Sequence, residues 1–271
     1  MARRYDTVSL LSDYGHADEF VGVVHSVIRS IAPHVVVVDI VHDLAPFDVR
    51  AASLALSRAV QYVAPGIVLA VVDPGVGTDR KAIAAEVGED GEGVLIGPDN
   101  GLLAPAAQLS GGVTRAVELA NPDYQLAAPG PTFAGRDVFA PAAAHLANGV
   151  PITELGPEID PFGLRPGLIP LSRTEGDAIV AEVLWVDRYG NCQLNVDPED
   201  VAAFGEVVGV RVGDAPRRSA RRVDTFGDLS TGQVGLLVDS YGLVAVTVDR
   251  ASAAEVLHLE AGSELRLEAV D

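Results

Sequence analysis

Four short loops carry the residues whose types and spacing could do chemistry. "SDYG" presents Ser12, Asp13 and Gly15, and "VHDLAPFD" presents His42, Asp43 and Phe47. "DPGVGTDR" runs from Asp73 to Arg80, and "GPDN" ends in Asp99 and Asn100. Carboxylates gathered this way can accept protons or bind a hard cation such as Mg²⁺. Farther on, "WVDRYGNCQLN" displays Asp187, Tyr189 and Asn191. Tyrosine can stack on a flat ring, and asparagine can meet an adenine edge with one donor and one acceptor. In "PTFAGRD" a bare methyl group, Ala134, stands among polar and aromatic residues at a helix start. Plainer readings stand beside these. Asp-Tyr-Gly and Asp-Pro-Gly are ordinary turns, "PDNG" can open a helix with Asp99 or Asn100 as N-cap, and "DRYGN" can be a simple hairpin. A histidine beside an aspartate, as at His42, is an ordinary structural pair.

The elements that must position these residues change character along the chain. "DTVSLL" (6–11), "HVVVVDI" (34–40) and "GIVLAVVD" (66–73) read as strands, the second as a strand covered on both faces. Between them, 17–32 and 48–63 have apolar residues at helical spacing, with Asp18 and Glu19 in the first turn of the former. Shorter strands are expected near 81–87 and 93–97, and helices near 100–109 and 136–148. This alternation predicts an α/β domain on a mainly parallel sheet. In such a sheet ligands bind beyond the carboxyl ends of the strands, and there the acid-bearing loops converge. The expected boundaries are an N-terminal domain over 1–160, a Pro/Gly-rich linker over 161–177 and a smaller, mostly β domain over 178–271.

Composition limits the partners. The chain has 271 residues, 48% of them hydrophobic, enough to bury the cores of two ordinary domains. Its net charge of −19 argues against nucleic acid and suits a ligand carrying positive charge. The one basic cluster, "RRSARR" (217–222), reads as paired or solvated. No apolar run reaches membrane-spanning length, and the N-terminus lacks a signal-peptide pattern, so a cytoplasmic protein is expected. The single cysteine, Cys192, excludes an internal disulfide and disfavours a Cys-based zinc site.

Taken together, "LLSDYGHADEFVG", "VVDPGVGTDR", "IGPDNGLL", "PTFAGRDVFAPAAAHLA", "VDRYGNCQLN" and "VDSYG" resemble one family across residues 10 to about 242. It is the S-adenosyl-L-methionine hydrolases, or hydroxide adenosyltransferases, related to the fluorinases and chlorinases. The resemblance implies an α/β N-terminal domain, an all-β, barrel-like C-terminal domain and a homotrimer, with ligand held between one subunit's N-terminal domain and a neighbour's C-terminal domain. It implies hydrolysis of S-adenosylmethionine to adenosine and methionine, with no metal or other cofactor. Asp73 and Arg80 would orient the attacking water. The halogenases have an aromatic hydroxyl where this chain has Asp73, and the hydrolases carry a histidine where it has Ala134. Asp13 would chelate the ribose diol and Asp187 would face the ligand's ammonium. Ser240 would lie near the methionine end, and Asn191 would read adenine. Phe47, Phe133, Tyr189 and Phe226 would wall the pocket. The vacated histidine position implies slowed turnover. A non-catalytic S-adenosylmethionine- or adenosine-binding protein, a metal-dependent hydrolase on Asp13, Asp43, Asp73 and Asp99, and a halogenase remain as alternatives.

Overall fold

The run Thr7–Ser12 forms β1, an interior strand of the first sheet with both of its faces covered by helices. The computed structural model describes residues 5–89 and 91–270. They fall into two units, divided between Leu168 and Ile169. In the first, strands β2 (Val36–Val41), β3 (Ile67–Val71), β4 (Ala82–Val87), β5 (Gly93–Pro98), β6 (Val113–Glu118) and β7 (Glu158–Ile159) join β1. The order is β2-β1-β3-β5-β4-β6-β7. The first four run parallel, and β4, β6 and β7 extend the sheet with antiparallel pairings.

Helices α1 (Phe20–Ile31) and α4 (Ala140–Ala147) cover one face, and α2 (Val49–Val60) and α3 (Ala104–Leu109) the other. Strand alternation feeds both layers: Val8, Leu10, Leu69 and Val71 face α1 and α4, while Leu11, Val68, Ala70 and Val72 face α2 and α3. Since β2 lies on one side of β1 and β3 on the other, the strand order switches between β1 and β3, where parallel sheets open a crevice.

Several expectations need correction. β2 is the sheet's edge strand, with Val36 60% and Val38 45% exposed, so its continuous apolar run does not signal cover on both faces. Helix α1 begins at Phe20, leaving Asp18 and Glu19 outside its first turn. Helix α3 begins later than the "PDNG" reading, with Leu103 at its N-cap. Asp99 instead accepts from the Arg165 N–H at 2.8 Å, while Asn100 donates to the Val72 carbonyl and accepts from the Leu102 N–H. Much of the segment expected as linker belongs to the two units, since Arg165 is tied to Asp99 and Arg173–Glu175 pairs with the strand that begins at Ala178.

The second unit is a barrel. Its strands are β8 (Arg173–Glu175), β9 (Ala178–Val186), β10 (Cys192–Leu194), β11 (Val207–Val212), β12 (Arg218–Arg222), β13 (Val234–Val238), β14 (Val244–Val248) and β15 (Glu264–Ala269), with α5 (Ala253–Leu257) between the last two. The order β10-β14-β13-β12-β11-β15-β9 closes on itself because β10 also pairs with β9, and β8 is added outside β9. The basic cluster is β12. Arg222 donates to the carbonyls of Val201, Ala202 and Gly205, and Arg221 to that of Asp228, a paired role.

Candidate active site

Asp73 leaves the end of β3 at the strand-order switch, and the loop after it turns back on itself. The Thr78 hydroxyl donates to the Gly75 carbonyl at 2.7 Å and accepts from the Arg80 N–H at 3.3 Å. Arg80 is thereby returned to Asp73. Its Nε donates to Asp73 Oδ1 at 2.9 Å and its Nη2 to Oδ2, a two-pronged pairing. Both side chains are nearly sealed from water, 6% exposed for Asp73 and 11% for Arg80. Burial pushes the Asp73 carboxyl above its ordinary pKa, Arg80 opposes that, and the neighbouring charge of Asp13 adds to it. The result is a carboxylate more basic than a free aspartate, with its geometry fixed by a guanidinium.

Asp13 follows β1. Its Oδ2 accepts from the Phe47 N–H at 2.8 Å, so the β1 and β2 loops are tied together through the carboxylate. Phe47 has a left-handed backbone (φ 69°) and is 71% exposed. A bulky residue rarely adopts that conformation, and such outliers collect at ligand clamps.

The loops have a second, buried tie that the sequence reading did not assemble. Ser12 Oγ lies 2.7 Å from His42 Nδ1, and His42 Nε2 lies 2.9 Å from Asp39 Oδ1. Because Asp39 accepts, we assign Nε2 as the protonated nitrogen, so the Ser12 hydroxyl donates to Nδ1. His25 Nε2 reaches the same Asp39 oxygen at 2.8 Å. Burial would raise the Asp39 carboxyl, but the hydrogen bonds from His42 and His25 outweigh it and hold the pKa below its ordinary value. His42 is therefore a structural pair, with Asp39 rather than the adjacent Asp43. Asp43 instead meets His16 at 3.0 Å.

Beside the loop that follows Asp73 lies the "PTFAGRD" segment, with the Pro131 carbonyl close to Gly77. Gly135–Phe139 forms one π-helical turn leading into α4, with Ala134 as its N-cap. Such turns are rare and frequent at functional sites. Arg136 and Asp137 form a two-pronged pair at 2.6 and 2.9 Å, a salt-bridged helix start. The Arg80 guanidinium lies 5.6 Å from the centre of the Phe139 ring, joining this segment to the Asp73 loop. Phe133 packs edge-on against Tyr14 at 5.6 Å and Phe20 at 5.0 Å. Tyr14, Phe20 and Phe139 were not singled out from the sequence. The alternation of β1 was the available signal for Tyr14, since it lies on the Val8 and Leu10 face.

In the barrel, Asp187, Tyr189 and Asn191 come together in the β9–β10 turn. Asp187 Oδ1 accepts from the N–H groups of Tyr189 and Asn191, both at 2.8 Å, and Oδ2 accepts from the Asn191 amide at 2.7 Å. The Asn191 amide oxygen accepts from Thr247 Oγ1 at 2.6 Å. An adenine edge would therefore meet only the second N–H and second lone pair of Asn191. Gly190 (φ 84°) closes the turn against Ser252, where a side chain would collide. Ser240 lies in a sister turn, whose Asp239 accepts from the N–H groups of Tyr241 and Leu243. Phe226 begins a short 3₁₀ turn capped by Thr225 and Asp228. Tyr189 is 80% and Phe226 50% exposed. Among the described residues no cluster of three or more His, Cys, Asp or Glu side chains could hold a metal ion. None of their helices is long and apolar enough to cross a membrane.

Comparison with known proteins places this geometry in context. Residues 8–156 match the profile described as SAM hydroxide adenosyltransferase N-terminal domain, and residues 181–266 that described as its C-terminal domain. The chain is 45% identical over 267 residues to an (R)-S-adenosyl-L-methionine hydrolase of Salinispora tropica, covering 97% of each. It is 44% identical over 268 residues to one of Thermus thermophilus, covering 96% of this chain and 98% of that one. The crystal structure of an uncharacterized conserved protein from Thermotoga maritima superposes with a TM-score of 0.88 at 34% identity, covering 96% of this chain and 99% of that one.

Proposed function

The chain belongs to the SAM hydroxide adenosyltransferase family, and from that premise we propose that it hydrolyses S-adenosylmethionine to adenosine and methionine. The observation that carries the reading is the buried Asp73–Arg80 pair at the β1–β3 switch. The substrate's sulfonium is a good leaving group that needs no protonation. Catalysis then reduces to holding one water in line behind C5′ of the ribose and taking its proton. As the water oxygen bonds to C5′, the C5′–S bond breaks. Its electron pair stays on sulfur, which leaves as the neutral thioether of methionine. Asp73 receives the water's proton, and its raised pKa suits that task. Arg80 fixes the carboxylate and favours hydroxide character.

In the same reading Asp13 holds the ribose diol, and Phe47 and Phe133 form apolar walls. Asp187, Tyr189, Asn191, Phe226 and Ser240 of a neighbouring subunit complete the pocket in a homotrimer. Support for this comes from Phe47, Tyr189 and Phe226, large aromatics that a single chain leaves exposed. No residue is assigned to a metal.

Ala134 supports a second reading, a protein that binds S-adenosylmethionine or adenosine without turning it over. The resemblance implies a histidine, within a Thr-Phe-His-Gly-Arg-Asp stretch, where this chain has Ala134, and a positioned proton acceptor contributes about 10²- to 10⁴-fold. Incubation with S-adenosylmethionine, with adenosine and methionine followed by mass, separates the two. The hydrolase reading expects slow adenosine formation, raised by about 10²-fold or more in Ala134→His. Binding without adenosine from either form would establish the second reading.

A further inference from the structure

Resting on the hydrolase reading, we propose that the Tyr14 hydroxyl is a further catalytic group, a hydrogen-bond donor to the attacking water beside the place that Ala134 leaves without a polar side chain. Three placements lead there. First, β1 and β3 pair in parallel with Ser12 opposite Val71, so two residues on, Tyr14 and Asp73 leave adjacent strands at the same height. Both continue the alternation of the face covered by α4, the face that carries Leu10 and Val71. Second, Tyr14 is fixed in direction, its ring held edge-on by Phe133 and tilted against Phe20, each at 5.6 Å. Third, its hydroxyl lies directly over Gly135, where any Cβ would collide with the phenol oxygen. Residue 135 follows Ala134, so the hydroxyl stands against the turn that presents the position 134 side chain. Gly135 is small here because the phenol oxygen occupies the space a side chain would need.

The electrostatics decide what the hydroxyl does. Burial, with the nearby carboxylates of Asp13, Asp73 and Asp137, pushes the phenol pKa well above its ordinary value of about 10. A hydrogen bond from the Gly135 backbone opposes this without overturning it. Tyr14 therefore stays protonated and donates rather than accepts. The division of labour follows: Tyr14 and Arg80 point donors at the water oxygen, while Asp73 takes the proton as oxygen bonds to C5′ and the electron pair leaves with sulfur. A histidine at 134 would supply the orienting contact itself and make the phenol redundant.

A four-form comparison tests this: the native chain, Tyr14→Phe, Ala134→His and the double variant. Each is measured for kcat of adenosine formation and for S-adenosylmethionine Kd by calorimetry. Phenylalanine keeps the ring and its edge contacts, so the packing around Phe133 and Phe20 is preserved. The expected result is a loss in kcat of about 10-fold or more on removing the hydroxyl from the native chain. The loss in the Ala134→His background should be several-fold smaller, with Kd little changed in both. Equal losses in the two backgrounds would reduce Tyr14 to a packing role and overturn the inference, as would an unchanged kcat in the native chain. Absence of adenosine from all four forms would instead overturn the hydrolase reading on which it rests.

Discussion

Asp73 carries opposite demands. Its folded pKa is raised by burial, so its ionisation disfavours the fold. That stability is greatest below the unfolded value of about 3.9 and declines as pH rises through the folded one. Activity runs the other way, because only the ionised carboxylate accepts a proton. The pH profile of kcat/KM should therefore show an acid limb with its midpoint above about 3.9. Asp73→Asn should lower kcat by about 10²-fold or more and abolish that limb. An unchanged limb in the asparagine variant would detach Asp73 from the proton transfer. At this scale much was legible: "DPGVGTDR" named both partners of the pair. Tyr14 was not, because its role comes from a neighbouring strand and from a turn 121 positions later at Gly135, a contact that local sequence does not display.

The loops after β1 and β2 hold their geometry through buried polar ties as well as through the packing of Tyr14 and Leu44 on the core. Ser12 and His42 are 0% and 1% exposed. Replacing His42 by alanine leaves the Ser12 hydroxyl and Asp39 short of a partner, and should cost about 1–3 kcal/mol in urea unfolding. A loss below about 0.5 kcal/mol would mean the tie is not holding the loops. In the barrel, burial and the Asp187 charge push the Cys192 thiol up to about 11. Cys192 should therefore resist thiol reagents at pH 8 until denaturant opens the β9–β10 turn, and prompt labelling of the native protein would contradict the turn as drawn. Element types were readable from periodicity, whereas edges were not. The valine-rich β2 shows why: apolar residues identify a strand, but its position in the sheet depends on the crossover that carries β3 to the far side of β1. The π turn before α4 was hidden for a similar reason, since Gly135 gives a helical pattern no sign of an extra residue.

For the whole molecule, the switch from alternating helix and strand to short strands was visible, and the barrel's closure through β10 was not, because pairing partners far apart in sequence set it. The proposed homotrimer would cover Phe47, Tyr189 and Phe226, aromatics that a single chain leaves exposed. Light scattering should give about three times the 28.1 kDa of one chain, and the mass should persist on dilution. A monomer with full activity would remove the neighbouring subunit from the site. The central claim, that water attacks C5′ of the ribose beside Asp73 and Arg80, has one direct test. Turnover of S-adenosylmethionine in ¹⁸O-labelled water should place the label in the 5′-hydroxyl of adenosine and leave methionine unlabelled. Label in an amino-acid alcohol, with methylthioadenosine as the other product, would put the attack on a different carbon and contradict the account.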